Sequence, residues 1–283
     1  MSTWILLRGL TRETRHWGAF PATFRSEIPG ATVIPLDLPG NGRLHLMPSP
    51  LRVEAMAEYC RSALRARGIG PPYNVLALSL GAMVAVAWAE RHPDELDGCV
   101  LISTSLRPFC PHSLRLKPRN IPALLAALTG GNAERLERLI LQLTSGRADT
   151  QRDVLDAWIA YRRECPVSLR NALRQLLAAI RYRAPAVKPA VPLLIMAGAR
   201  DRLVDAGCSE RLAGRWQTEL LIHPEAGHDL PLDEGAWVAK KVRAWLLRRN
   251  GRRLDASSGR SADDGEPEDS SGLAAVAAPP SLS

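Results

Sequence analysis

Six short apolar runs, separated by stretches with helical spacing, set the pattern of this 283-residue chain. Strands of a parallel sheet are covered on both faces, so they are short and continuously apolar, while the connecting helices repeat their apolar positions at helical intervals. The sequence therefore predicts an α/β fold with a mostly parallel sheet and crossover helices. The predicted strands are residues 4–7, 32–36, 74–78, 99–102, 193–197 and 219–222.

Helical patterns occupy the connections between these strands, and one connection is unlike the others. Helices are predicted at residues 51–67, 80–91 and 236–249. Between residues 105 and 189 no strand pattern appears, and four amphipathic segments follow one another instead. These segments are residues 121–128, 136–143, 154–161 and 169–180. A long all-helical insertion between two strands predicts a cap over the sheet.

Three regions follow from this pattern. Residues 1–105 and 190–249 are predicted to form the α/β core, and residues 106–189 the helical cap. Residues 250–283 are rich in Gly, Ser, Asp, Glu and Ala, and end in Pro-Pro-Ser-Leu-Ser. That tail has too few apolar side chains to form a core of its own, so it is predicted to be disordered.

Composition limits the kinds of binding partner and the cellular compartment that we expect for this chain. The net charge of +8 favours anionic partners. However, the chain has no zinc-finger spacing, RNP-like motif or basic heptad region, so nucleic acid is not expected. Neither an export signal nor a membrane-length apolar run is recognisable. The histidines are scattered, and no metal or cofactor is expected. Five cysteines without a CxxC pair indicate reduced thiols and a cytoplasmic protein. They are Cys60, Cys99, Cys110, Cys165 and Cys208.

Ser79 is the first candidate catalytic residue. It lies in Ala-Leu-Ser-Leu-Gly at residues 77–81, after an apolar strand and before a helix of small residues. A nucleophilic serine needs a sharp strand-to-helix turn with small residues two positions away on either side. The usual pattern has glycine at both flanks, and here Ala77 occupies the first of them. The alternative is an ordinary serine before a buried helix, but the strand–turn–helix context favours a nucleophile.

A serine hydroxyl needs a base to accept its proton, and His228 is the candidate. It follows the last predicted strand in the sequence Gly-His at residues 227–228. His223 is the competing histidine, but it stands at the end of the strand and is interpreted as structural.

The base needs a carboxylate to orient it, and Asp201 is the candidate. It follows the fifth predicted strand, so it lies at the same edge of the sheet as the serine and the histidine. Asp205, Asp229 and Asp233 compete with it for this role. Asp205 lies further from the strand end, and the other two are interpreted as charges on loops.

Two backbone N–H groups should bind the negative charge that develops on the substrate oxygen. The N–H of Leu80, directly after the nucleophile, is one candidate. The N–H of Leu10, after the first strand, is the other, with Gly9 allowing the backbone to approach closely. The alternative for Gly9 is a plain turn glycine.

Taken together, these motifs resemble the α/β-hydrolase superfamily over about residues 3–249. They are Arg-Gly-Leu at 8–10, Asp-Leu-Pro-Gly-Asn-Gly at 37–42, the serine motif, Gly-Ala-Arg-Asp at 198–201 and Gly-His at 227–228. The order Ser, Asp, His along the chain is that of the superfamily. The resemblance is strongest to small helical-capped carboxylesterases, the group of the pimeloyl-carrier-protein methyl ester esterases.

Two features depart from the pattern of that family. Arg8 stands where histidine commonly precedes the oxyanion glycine, and the first predicted strand matches the family's third, so the first antiparallel hairpin is expected to be absent.

The resemblance implies a serine esterase that forms an acyl-enzyme on Ser79. An aspartate at that position would indicate a haloalkane dehalogenase or an epoxide hydrolase, so these classes are not expected. An acyl thioesterase or acyltransferase acting on a carrier-bound chain remains an alternative, as does a non-catalytic binding protein of the same fold.

Charge is unevenly distributed along the chain. Residues 106–189 hold fifteen basic and six acidic side chains, an excess larger than the net charge of the whole chain. These arginines either form the solvated faces of amphipathic helices or recruit an anionic substrate, such as a carboxylated acyl chain or an acidic carrier protein. Arg162, Arg163 and Arg170 are the residues expected to take part in such recruitment.

Overall fold

Six parallel strands form one sheet in the order β2-β1-β3-β4-β5-β6. The structure, a computed structural model, describes residues 2–147 and 151–258, without the side chains of residues 112, 125, 127–129 and 252–258. The strands are β1 (Ser2–Leu7), β2 (Ala31–Leu36), β3 (Tyr73–Leu78), β4 (Leu96–Ile102), β5 (Leu193–Gly198) and β6 (Glu219–His223). Each contains a predicted apolar run, so the predicted α/β-hydrolase sheet is confirmed.

Burial along the strands explains their composition. All six residues of β3 are buried, and so are the last four of β1, because helices cover both faces of the central strands. The edge strands β2 and β6 are more exposed.

Helices connect the strands, and most of them match a predicted pattern. Their bounds are α1 (Phe20–Glu27), α2 (Val53–Arg65), α3 (Leu80–Arg91), α4 (His112–Arg115), α5 (Ile121–Thr129), α6 (Ala133–Thr144), α7 (Arg152–Glu164), α8 (Leu169–Arg181), α9 (Gly207–Trp216) and α10 (Leu230–Ser258). Helix α3 is apolar on all sides and buried from Leu80 to Ala89, which is typical of a helix inside a core. Helices α4–α8 lie between β4 and β5, in the segment predicted to be helical.

The C-terminal end of the chain differs from the sequence pattern in one respect. Helix α10 has a kink at Glu234, where φ is −140°, and runs to Ser258, past the predicted end of the core at residue 249. It continues through Asn250 and Gly251, which are poor helix formers, into the better helix formers Arg252, Arg253 and Leu254. The rest of the predicted disordered tail, residues 259–283, lies outside the described residues. The described residues divide into two units at residues 243 and 244, and the whole sheet belongs to the first.

Two of the five cysteines are not the reduced thiols that the sequence indicated. Cys110 and Cys208 form a disulfide, with their Cα atoms 5.3 Å apart. They are 98 positions apart in the sequence, and spacing alone gave no sign that the segment before α4 would meet helix α9. The cytoplasmic location inferred from reduced thiols stays a prediction. Within the described part of the chain, no helix has the length and apolar character needed to cross a membrane.

Candidate active site

Ser79 lies in a sharp turn between β3 and α3. Its backbone has φ 57° and ψ −114°, a left-handed conformation that non-glycine residues adopt rarely and mainly at functional sites. The Ser79 N–H donates to the carbonyl oxygen of Ile102 at 2.9 Å, which fixes the turn against β4. A Cβ atom on Gly81 would lie 2.5 Å from the carbonyl oxygen of Leu7, so only glycine lets α3 approach the end of β1 this closely.

His228 and Asp201 form a buried pair at the same edge of the sheet. The Nδ1 atom of His228 lies 2.6 Å from Oδ2 of Asp201. The other carboxylate oxygen of Asp201 accepts the backbone N–H groups of Leu203 at 2.8 Å and Val204 at 2.9 Å. Both oxygens of Asp201 are therefore held, and the imidazole ring is oriented by a fixed carboxylate.

Ser79 and His228 both lie in the wall of one cavity of about 600 Å³, here named the site cavity. Leu10 and Leu80 lie in the same wall. Asp201 does not line the cavity and contacts the His228 ring on its Nδ1 side. The structure thus brings together all five residues that the sequence selected, and their catalytic roles stay a prediction.

The loop after β1 approaches the turn at Ser79 closely. A Cβ atom on Gly9 would lie 3.2 Å from the Cβ atom of Ser79, so glycine keeps this contact free of a side chain. Within the described residues, the N–H groups of Leu10 and Leu80 have no hydrogen-bond acceptor. The neighbouring N–H of Thr11 is already used, since it donates to Oε1 of Gln175 at 2.8 Å. Two free N–H groups thus lie beside the serine.

Sequence reasoning missed a buried ion pair next to the histidine. The guanidinium of Arg8 donates to both carboxylate oxygens of Asp229, and the side chains of the two residues are 3% and 4% exposed. Asp229 lies in the loop after β6, as the sequence indicated, but its charge is buried in an ion pair. The pair joins the Leu10 loop to the loop that carries His228. The unusual Arg8 was the one available signal, because a buried arginine needs a carboxylate partner.

The residues that compete with Asp201 and His228 in the sequence have structural contacts of their own. Asp233 lies in helix α10 and not in a loop as predicted, and it accepts from the hydroxyl of Ser145 at 2.6 Å and from the N–H of Gly227 at 2.7 Å. Nδ1 of His223 accepts backbone N–H groups of the turn after β6. Asp205 accepts the N–H of Gly207 at 3.0 Å. The side chains of Asp233, His223 and Asp205 do not line the site cavity.

A second buried charge cluster joins the loop after β1 to the helices between β4 and β5. Glu137 of α6 accepts from Nη1 of Arg12 at 2.5 Å and from Nε of Arg162 on α7. The Arg12 guanidinium also lies 4.2 Å from the ring centre of Trp158. Burial and the charge of Arg12 lower the pKa of His16 well below its usual value, so that ring is neutral. Arg162 is thus bound in this cluster and is not the surface residue expected for substrate recruitment.

We expect the Glu137→Gln substitution to lower the free energy of unfolding by about 3–5 kcal/mol, because it leaves two buried cations without a balancing charge. Burial opposes ionisation of Glu137, but the charges of Arg12 and Arg162 outweigh it and lower the pKa of the carboxyl group. Urea unfolding measures the difference.

Glu134→Gln is the matched control on the same helix. The Glu134 side chain is 54% exposed and pairs with Arg138, so its loss should cost less than about 1 kcal/mol. A similar small cost at Glu137 would contradict the importance of the buried cluster.

Known proteins with similar sequences include hydrolases and esterases. Residues 29–235 match the family described as serine aminopeptidase, S33. A pimeloyl-(acyl-carrier protein) methyl ester esterase of Chromobacterium violaceum is 31% identical over 225 residues, which cover 75% of this chain and 83% of that protein. The esterase of the same name from Xylella fastidiosa is 27% identical over 222 residues, covering 75% and 84%.

Among solved structures, a malate-bound thermophilic esterase of Thermogutta terrifontis aligns with a TM-score of 0.69 at 22% identity. The alignment covers 88% of this chain and 90% of that one, and at this identity it supports the fold alone. Among the described residues, no group of three or more His, Cys, Asp and Glu side chains could hold a metal ion. The family match and the similarity to the Chromobacterium protein place this chain in the serine aminopeptidase S33 family of α/β-hydrolases, as a carboxylic ester hydrolase.

Proposed function

We propose that this enzyme cleaves carboxylic esters through an acyl-enzyme on Ser79, with His228 as the base and Asp201 as the residue that orients it. One observation carries the proposal. His228 lines the site cavity together with Ser79, and its Nδ1 atom lies 2.6 Å from Oδ2 of Asp201. A carboxylate at Nδ1 keeps the proton on that nitrogen, which leaves Nε2 free to accept a proton from the serine.

In the first half of the reaction, the Ser79 oxygen attacks the carbonyl carbon of the ester while His228 accepts the hydroxyl proton. The tetrahedral intermediate collapses, the bond to the alcohol oxygen breaks, and His228 returns the proton to the alcohol. In the second half, water attacks the acyl-enzyme by the same route and releases the acid. Asp201 stays ionised throughout and stabilises the imidazolium.

The N–H groups of Leu10 and Leu80 are proposed to bind the oxyanion of both tetrahedral intermediates. They are held by the backbone and have no other acceptor in the described structure. Donors that need no reorganisation stabilise developing charge most strongly, and one such donor accounts for about 10²–10³ in kcat. The Arg8–Asp229 pair supports this arrangement by holding the Leu10 loop against the His228 loop.

A panel of substrates with one acyl group and three linkages tests the proposed reaction. The oxygen ester is expected to have a higher kcat/KM than the thioester or the anilide. Leaving groups of similar pKa keep the comparison to the linkage itself. A preference for the thioester would contradict ester hydrolysis as the main activity, and a preference for the anilide would favour a peptidase.

A carrier-bound acyl substrate is the second candidate, because both curated relatives act on a methyl ester of a chain linked to acyl carrier protein, according to their names. The basic excess of residues 106–189 suits an acidic partner. Arg163 and Arg170 are exposed and available for such contacts, whereas Arg162 is bound to Glu137.

A further inference from the structure

Three arginines lie in the otherwise mostly aliphatic wall of the site cavity: Arg8, Arg12 and Arg115. Arg8 is paired with Asp229, and Arg12 with Glu137. Among the residues that the structure describes, Asp229 is the one acidic residue of that wall, and its two oxygens are already occupied by Arg8. Arg115 is therefore the cation of the wall that lacks a carboxylate partner among the described residues.

The donors of Arg115 are largely unused. Its Nη2 atom donates to the carbonyl oxygen of Ala179 at 2.7 Å. Its Nε and Nη1 atoms are buried and have no acceptor in the described structure. Burial, together with the nearby charge of Arg107, lowers the pKa of Arg115 to about 10, so the group is still a cation at neutral pH. Buried donors without acceptors are costly, and an anion in the cavity would satisfy them.

The backbone on both sides of Arg115 is fixed to the loop that carries Asp201. The N–H of Asp205 donates to the carbonyl oxygen of Leu114 at 3.0 Å, and the N–H of Lys117 donates to that of Leu203 at 3.0 Å. The Cys110–Cys208 disulfide ties the same segment to α9. The backbone that carries Arg115 is thus fixed without a ligand, as in a preformed binding site.

We propose that Arg115 binds a free carboxylate of the substrate, and that the preferred substrates are monoesters of dicarboxylic acids. This inference rests on the proposed function, because it places the ester group at Ser79 and the carboxylate at Arg115. Aliphatic side chains of the wall would contact the methylene chain that joins the two groups. They include Leu124, Leu136, Ile140 and Leu176.

A carboxylate fits this position better than a phosphate monoester. One unpaired guanidinium balances one negative charge, and a second charge would lie against an aliphatic wall without a partner. Charge-assisted hydrogen bonds to the guanidinium would give the monoester an advantage that a neutral diester of the same acid cannot have.

The test compares the monoethyl ester of a diacid with the diethyl ester of the same diacid, for diacids from adipate to sebacate. Hydrolysis is monitored by pH-stat titration, and the quantity compared is the ratio of kcat/KM for the monoester to kcat/KM for the diester. The wild-type ratio should favour the monoester. Arg115→Met keeps the length of the side chain without its charge, and should lower the ratio about 10- to 100-fold. Arg115→Lys should retain part of the preference, because it keeps the cation but loses the fork of donors.

Arg119→Met is the matched control. Arg119 belongs to the same segment and is exposed, and it is outside the cavity wall. Its substitution should leave the ratio unchanged. Octanoate should also inhibit the wild type competitively and more strongly than octyl phosphate.

Three results would overturn the inference: a wild-type ratio that favours the diester, an Arg115→Met ratio equal to that of the wild type, or stronger inhibition by octyl phosphate. Failure of the proposed function would look different, because no ester, charged or neutral, would then be cleaved in a manner that depends on Ser79. Thermal unfolding of each variant shows that the comparison is made on folded protein.

Discussion

The Ser79→Ala variant is expected to fold normally and to lose about 10⁴-fold or more of the esterase kcat. The hydroxyl is the group that attacks the ester, so its loss removes the covalent route. The structural contacts of residue 79 are made by its backbone, through the N–H that donates to Ile102 and the carbonyl oxygen that accepts from Ala82. His228→Ala should cost a similar factor, because the serine and its base act as one unit.

Ser103→Ala is the control for this loss. Ser103 directly follows the neighbouring strand β4 and also has a positive φ, 48°, but it does not line the site cavity. Its substitution should change kcat only slightly. Substantial esterase activity in purified Ser79→Ala protein would refute the assignment of the nucleophile.

The Asp201→Asn variant is expected to lower kcat by up to about 10⁴-fold while the fold is kept. An amide can still accept the N–H groups of Leu203 and Val204 through its oxygen. Its nitrogen then faces Nδ1 of His228 as a donor and favours the tautomer that carries its proton on Nε2. That tautomer cannot accept the proton of Ser79, so steady-state kinetics should report a fall in kcat larger than any change in KM.

Asp205→Asn is the matched control in the same loop. Its carboxylate is 42% exposed and lies 3.8 Å from the Lys117 ammonium, away from the histidine. We expect nearly unchanged kinetics. If Asp205→Asn, and not Asp201→Asn, caused the large loss, Asp205 would be the carboxylate that orients the base.

Local patterns were enough to place the candidate triad. Ser79, Asp201 and His228 each follow an apolar run, and in a parallel sheet the ends of such runs meet at one edge. The sequence therefore predicted which side chains would lie together. It also predicted helix α3 with the bounds that the structure shows, because small and apolar residues fill every side of that helix.

The same reasoning could not predict ion pairs between residues that are far apart in the sequence. The partners of Arg8 and Arg162 lie far away in the sequence, and no periodicity links them to Asp229 or Glu137. The count of basic residues suggested a charged surface over the site. The structure shows that some of this charge is buried in pairs, which depends on packing between helices and loops. The unpaired donors of Arg115 likewise follow from packing alone.

The most direct test of the central claim is the mass of the enzyme during turnover. When a p-nitrophenyl ester is mixed with the enzyme and quenched early, intact-mass spectrometry should show the added mass of one acyl group. Peptide mapping should place that group on Ser79, and a fluorophosphonate should label the same residue and nothing in Ser79→Ala. Turnover without any acylated enzyme, or an acyl group mapped to another residue, would contradict the account.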